Sequence, residues 1–202
     1  VSPAGGNLKE PVTESTKKAA RCFYALNQSR ADRKRYPAVD PIDSYSKYLD
    51  YPEIAEYLNK TVDSNWVANV NKAKNLILRG KEAYEQINIL GDDGVPMEYH
   101  MRYWKSELID FIILQQDAFD SIDCSTPMDR QEFMLKKVLE VCDTPVEFED
   151  FEECGAFYKN VINIMRQMNY SVYKSADFEK YLCKQIIFND PTKNCMIRSP
   201  LY

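Results

Sequence analysis

One long periodic segment constrains the fold of this sequence more than any other feature. Apolar or small residues recur at alternating spacings of four and three from Trp66 to Gly91. That spacing lines them along one face of an α-helix. Residues 91–96 then break the pattern, because glycine suits a helix end and Pro96 suits the first turn of a following helix. The sequence therefore predicts a long helix that turns back into a second helix near 97–116.

Further helix starts are marked at two places where a capping residue is followed by a proline. Asp50 precedes Pro52, and Thr126 precedes Pro127, so each pair places a capping oxygen close to a first-turn proline. From Pro127 onward, apolar residues again recur at helical spacing over stretches long enough to form helices. They predict three more helices, near 127–142, 147–168 and 176–188.

The beginning of the chain has a different pattern. Residues 1–16 combine proline and glycine with polar residues, which is typical of a loop. Residues 18–26 form a short apolar run that predicts a strand, and Asn27 can cap a brief helix that ends before Pro37. Because no second strand is evident, we expect this strand to pair with another chain or to fold against the helices.

Composition excludes several classes of partner. The net charge of the 202 residues is −5, and Lys and Arg cluster only briefly near 30–35. A surface for nucleic acid or anionic lipid needs more clustered cations. No run approaches 18 apolar residues, and no signal peptide is visible at the start. We therefore expect a cytoplasmic protein with no nucleic-acid partner and no direct membrane insertion.

The motifs of self-contained active sites are missing. No G-x-x-x-x-G-K-[ST] phosphate loop occurs, and the single histidine, His100, has no nucleophile motif beside it. Acidic residues in 147–153 suit a solvated helix start, where they complement the helix dipole. Six cysteines show no C-x-x-C pair, which favours reduced, buried or incidental thiols over a metal site. We predict no catalytic residue and no metal ligand.

Three strings nevertheless resemble one family. Residues 33–48, with Tyr-Pro-Ala-Val-Asp-Pro and Ser-Tyr-Ser, are similar to the junction between the nucleotide-binding and helical domains of rotary ATPase catalytic subunits. Residues 114–120 resemble the V-type L-Q-Q-N-A-F-D, and residues 2–7 resemble S-P-P-G-G-D, with Ala4 and Asn7 as departures. The chain is thus identified as similar to the C-terminal domain of the V-type ATPase or ATP synthase catalytic A (alpha) subunit.

The resemblance implies a mainly α fold, a C-terminal helical bundle preceded by a short loop and strand remnant of the nucleotide-binding domain. Residues 1–35 would be the tail end of that nucleotide-binding domain. Residues 36–190 would form the helical bundle, and 191–202 an irregular tail. The match runs from Val1 to about Asp143, and no diagnostic string lies beyond it.

The resemblance also implies a nucleotide site. In the family, aromatic side chains flank the adenine of ATP or ADP, and those positions correspond to Tyr36 and Phe119, with Pro37 and Ala118 beside them. An aromatic face can stack on a purine. The phosphate loop, the magnesium contacts and the catalytic glutamate would lie in a domain upstream of Val1, so these residues alone would be inactive.

A second role that the resemblance implies is to couple the nucleotide state to a rotor. The turn of the helical hairpin falls where the family's domain faces the rotating central stalk, so Asp92, Asp93 and Glu98 become candidate rotor contacts. Implied partners are the V-type B subunit, which would supply an arginine finger, and the rotor subunits of a proton- or sodium-translocating machine. The chain would then belong to a soluble head that is peripheral to a membrane.

The sequence is compatible with two other functions. An independent helical interaction module without nucleotide binding would have Tyr36 and Phe119 far apart or fully buried. A helical enzyme with an unfamiliar site would show a deep polar pocket with perturbed carboxylates. The near absence of histidine argues against such an enzyme.

Overall fold

The computed structural model describes residues 9–189, with side chains through residue 185. The chain divides into two compact units, with the boundary between Val67 and Ala68. The opening string 2–7 and the tail 191–202 lie outside the described residues. The predicted boundary at residue 35 falls inside the first unit, because strands on either side of it pair with each other.

From residue 9 onward, the first unit contains three α-helices, two short strands and a 3-10 turn, Tyr48–Asp50. The helices and strands are α1 Pro11–Ala19, β1 Cys22–Phe23, α2 Gln28–Asp32, β2 Tyr45–Ser46 and α3 Pro52–Thr61. The predicted Asn27 cap is confirmed, because its side chain accepts a hydrogen bond from the Ser29 amide. The predicted start of α3 at Pro52 is also confirmed.

The prediction of a loop over residues 1–16 is wrong from Pro11 onward. Helix α1 begins with Pro11, carries Glu14 in its first turn, and has Lys17 and Lys18 in its last turn. These are favourable positions for proline and for charges that complement the helix dipole. The helix buries no residue, so the apolar period that would have revealed it is absent.

The prediction about the strand partner is also wrong. Strand β1 pairs with β2 in an antiparallel ladder within the same chain, and a further bridge joins Leu26 to Val39. The segment between them folds back at Asp40, whose amide donates to the Ala25 carbonyl. Strand β2 was not predicted from the sequence, because two residues are too few to show the alternating pattern of a strand.

The second unit is built of helices. The predicted hairpin is formed by the long helix α4 Trp66–Leu90 and by α5 Met97–Ile109. The first two residues of α4 belong to the first unit. Gly91 ends α4 with a φ of 82°, which glycine adopts without strain. A π-helical turn, Asp110–Leu114, extends α5, so the predicted helices over 66–91 and near 97–116 are both confirmed.

Three further helices follow within the described residues and confirm the remaining helix predictions. They are α6 Met128–Asp143, α7 Phe151–Asn169 and α8 Ala176–Asn189. The core lies along α7, with buried residues also on α5 and α6. None of the helices among residues 9–189 combines the length and apolar character needed to cross a lipid bilayer.

The hairpin helices α4 and α5 approach closely at one point. Gly80 is buried, and a Cβ built on it would overlap the Ser106 side chain and lie 3.0 Å from the Arg102 carbonyl oxygen. One turn further along α4, Tyr84 stacks on Tyr103 with ring centroids 5.4 Å apart. Glycine therefore permits the helix spacing at which these rings meet.

Among the described cysteines, Cys142 and Cys154 are buried free thiols. Cys183 is disulfide-bonded, so the expectation of reduced thiols is wrong for that residue. Burial raises the pKa of Cys142 to about 12 and that of Cys154 to about 11. Both thiols are therefore held in the neutral form by the apolar core.

We expect Gly80→Ala to lower the free energy of unfolding by about 1–3 kcal/mol, because overpacking outweighs the better helix propensity of alanine. Chemical denaturation measures the loss. The paired change Gly80→Ala with Ser106→Gly should recover part of it, because it removes the overlapping Cβ. A single Gly80→Ala variant as stable as the parent would contradict the close contact.

We also expect the free energy of unfolding to fall as pH rises above about 9. Unfolded thiols ionise there, whereas Cys142 and Cys154 keep their protons in the fold, so each lowers stability by about 1.4 kcal/mol per pH unit. Denaturation between about pH 8 and pH 11 tests this. The variant with both cysteines changed to alanine should show a flatter pH dependence, and an unchanged slope would refute the assignment.

Candidate functional site

The first predicted site residue, Tyr36, lies in the segment between α2 and β2. Its side chain is 55% exposed, and it precedes Pro37 through a cis peptide bond. Pro37 is exposed as well. The first unit therefore presents an aromatic face and a proline to their surroundings at the predicted position.

A buried carboxylate, Asp40, shapes the segment that carries Tyr36. Its Oδ1 accepts hydrogen bonds from the amides of Ile42 and Asp43 at 2.8 and 3.0 Å. Its Oδ2 accepts from Asn27 Nδ2 at 2.6 Å. The main-chain amide of Asn27 donates to the Ala38 carbonyl. Tyr36 is thus held between a helix cap and a carboxylate-centred turn.

The second predicted site residue, Phe119, lies in the loop between the π-helical turn and α6. Its side chain is 102% exposed, and the neighbouring Ala118 is exposed too. The Phe119 amide donates to Asp117 Oδ1 at 2.9 Å. This local turn presents the ring outward, without contact with the apolar core.

Two further carboxylates fix this loop. Asp120 Oδ1 accepts from the amides of Ile122 and Asp123 at 2.9 and 2.8 Å. Asp123 is buried, and its Oδ2 accepts from the Asp117 amide at 2.7 Å. Burial raises the pKa of the Asp123 carboxyl, while the Asp117 amide and the charge of Arg130 oppose that rise. The loop is therefore a compact structure built around its own aspartates.

The predicted coupling residues lie at the tip of the hairpin. Asp92 and Asp93 belong to a single 3-10 turn, Asp92–Gly94, that follows α4. Both are exposed, as is Glu98 in the first turn of α5. Glu98 forms an ion pair with Arg102 at 2.6 Å, so its charge is partly compensated. The tip is acidic mainly through Asp92 and Asp93.

His100 has a structural role that the sequence did not reveal. It is buried, and its Nε2 lies 3.0 Å from the Asp92 carbonyl oxygen. Its ring stacks on Phe151 with centroids 5.3 Å apart. His100 therefore fastens the acidic turn to the start of α7.

The residues that build the loops were not predicted as site residues. Asp40 and Asp117 lie within the strings 33–48 and 114–120, but the resemblance assigned them no role, and Asp123 lies outside both strings. An aspartate two residues before a bonded amide is nonetheless typical of an Asx turn. That signal was present at Asp117, which precedes Phe119 by two positions. Asp40 also bonds to Asn27, 13 residues away, a contact that no local pattern reveals.

Comparison with known proteins gives a consistent family assignment. Residues 55–149 match the family described as the C-terminal domain of V and A type ATP synthase. The V-type ATP synthase alpha chain of Protochlamydia amoebophila is 35% identical over 180 residues, which is 89% of this chain and 30% of that protein. The alpha chain of Chlamydia muridarum is 38% identical over 182 residues, 90% of this chain and 30% of its own length.

A solved structure supports the fold. It is described as a unique ATP synthase subunit NeqB from Nanoarcheaum equitans, and it matches with a TM-score of 0.50 and 18% identity over 69% of this chain and 33% of that chain. The predicted fold, a mainly helical C-terminal domain, is confirmed. The chain spans about a third of the length of the curated relatives it matches.

We expect Asp40→Ala to loosen the segment that carries Tyr36. The change removes three hydrogen bonds to a buried carboxylate, a loss of about 2–4 kcal/mol in local stability. Hydrogen exchange of the amides in 25–44 measures it. Asp43→Ala is the matched control, because Asp43 is exposed. Equal exchange in the two variants would show that Asp40 does not organise the segment.

Proposed function

Since this chain belongs to the family of V-type ATP synthase alpha chains and contains their C-terminal domain, we propose that it is the C-terminal part of a catalytic subunit of a proton- or sodium-translocating ATPase or ATP synthase. In this proposal it supplies part of the adenine site and couples the nucleotide state to a rotor. ATP hydrolysis itself would require residues of a longer protein, because no phosphate loop occurs among these 202 residues.

The observation that carries the adenine proposal is the full exposure of Phe119 on a fixed loop. Burying a phenylalanine side chain contributes about 1.5–3 kcal/mol, and the described structure leaves that contribution unused. Asp117, Asp120 and Asp123 accept hydrogen bonds from main-chain amides of the loop and so hold the backbone that carries the ring. A planar ligand such as the adenine of ATP or ADP would cover this face by stacking.

Tyr36, with Pro37 beside it, is proposed as a second adenine contact. Its exposed ring is also held on an ordered segment, where Asp40 fixes the turn that follows. Each stacked face contributes about 1–3 kcal/mol, whereas association costs about 4–15 kcal/mol. The two contacts alone would therefore give weak binding. Phosphate and magnesium contacts in the upstream domain would supply the rest.

The hairpin tip is proposed to contact the central rotor. Asp92 and Asp93 present two carboxylates on a turn that His100 fastens to the bundle. Glu98 is proposed as a weaker contact, because Arg102 already neutralises part of its charge. A basic surface on a rotor subunit would be complementary to this tip.

The proposed setting is the soluble head of the machine, on the cytoplasmic side and peripheral to the membrane. A V-type B subunit would face the nucleotide site and supply an arginine finger. The independent interaction module, without nucleotide binding, is less favoured. Full burial of Tyr36 and Phe119 was one of the arrangements expected for it, and both rings are exposed.

We expect Phe119→Ala and Tyr36→Ala each to weaken binding of ADP by the full-length protein about 5- to 150-fold, the equivalent of one lost stacking contact. Calorimetric titration with Mg-ADP measures it. Tyr57→Ala is the control, because Tyr57 is 65% exposed but has no proposed role. Unchanged ADP affinity in both Phe119→Ala and Tyr36→Ala would refute the adenine site.

A further inference from the structure

Two helices of the second unit are joined at both of their ends. At the hairpin tip, His100 near the start of α5 stacks on Phe151, the first residue of α7. Beyond the end of α5, Asn169 at the end of α7 donates from Nδ2 to the Ile112 carbonyl oxygen at 2.9 Å. Because matching ends are joined, α5 and α7 run in the same direction. We call this pair with its two end contacts the α5–α7 frame.

One end of the frame holds the acidic turn. The His100 ring that stacks on Phe151 also contacts the Asp92 carbonyl through Nε2, and its Nδ1 lies 4.0 Å from Asp92 Oδ1. His100 is 4% exposed, so the ring is held within the bundle while Asp92 lies at its surface. A displacement of the turn therefore has to move His100 against Phe151.

The other end of the frame holds the Phe119 loop. Arg130, at the start of α6, is 2% exposed, and its Nη2 donates to the carbonyls of Met168 and Asn169 at the end of α7. The charges of Asp123 and Asp120 in the loop act on the same guanidinium. Arg130 thus joins the start of α6 to the end of α7 by hydrogen bonds and attracts the carboxylates of the loop. The π-helical turn that precedes the loop is itself bonded to α7 through Asn169.

The helix between these anchors is packed as a rigid element. Helix α7 has 19 residues and is therefore about 28 Å long. Its inward face is buried along the whole length, from Cys154 through Tyr158 to Met168. A Cβ added at Gly155 would lie 3.3 Å from Trp104 of α5. Close-packed helices of this kind move as bodies.

We propose that the α5–α7 frame transmits displacement between the acidic turn and the Phe119 loop, with His100, Phe151, Arg130 and Asn169 as positioning residues at its two ends. This inference rests on the proposed function, which assigns nucleotide to the loop and rotor contact to the turn. It adds a physical connection between them. A ligand that orders Phe119 would then bias the position of the turn, and a partner on the turn would bias the loop by the same free energy.

Hydrogen exchange on the full-length protein, with and without Mg-ADP, tests this connection. In the parent protein, we expect ADP to slow exchange in 115–124 and also to change exchange in 91–97. In Phe151→Leu, which keeps apolar bulk but removes the ring stacking, the loop response should remain and the turn response should be lost. His100→Gln is the second variant at the same contact, and circular dichroism establishes that each variant is folded.

The other end is tested in the same way. Asn169→Ala removes the bond to the Ile112 carbonyl, and the turn response should again be lost while ADP still protects 115–124. Phe133→Leu is the matched control, because Phe133 contacts Tyr173 and Phe178 rather than the frame. Both responses should persist in that variant.

The outcomes separate the two proposals. A turn response that persists in Phe151→Leu, His100→Gln and Asn169→Ala would overturn the frame while leaving the adenine site intact. No response of 115–124 to ADP in the parent protein would instead overturn the adenine site, and the frame proposal with it. Loss of the turn response in Phe133→Leu as well would show that any core change abolishes it, and would likewise overturn the specific role of the frame.

Discussion

The arrangement of the second unit depends on the burial of one face of α7. Val161, Met165 and Met168 are inaccessible to water along this face, and α5, the π-helical turn and α8 supply the surfaces around it. Without this packing, the polar bonds at the two ends of α7 would join mobile segments and would fix nothing. Because close-packed interiors resist deformation, those bonds instead hold the loop with Phe119 and the turn with Asp92 in defined positions.

Both segments with exposed aromatic rings use the same physical device. A buried aspartate, Asp40 in one and Asp123 in the other, accepts hydrogen bonds from main-chain amides. Such charge-assisted bonds are stronger than neutral ones, and low dielectric strengthens them further. They allow Tyr36 and Phe119 to remain outside the apolar core. Exposing these rings to water is unfavourable, and a ligand or partner that covered them would recover that free energy.

Sequence patterns identified the elements that bury a continuous apolar face. The hairpin of α4 and α5 and the helices α6, α7 and α8 have long periods that only an α-helix satisfies. The Asn27 cap was also predicted correctly, from the residue type alone. Sequence patterns did not predict α1, which buries no residue. They also did not predict the pairing of β1 with β2, because each strand has two residues. Such elements depend on neighbours rather than on their own pattern.

The sequence by itself determined the helical class, the order of the long helices, the resemblance to a rotary ATPase subunit and the positions of the candidate aromatic and acidic residues. Only the tertiary structure decided that Phe119 is fully exposed, that Asp40 and Asp123 are buried, and that His100 joins the acidic turn to α7. The physical reason is that periodicity records which face of an element is apolar, whereas burial and hydrogen bonding of a polar side chain depend on segments far away in sequence. For Asn169 and Ile112 that separation is 57 residues.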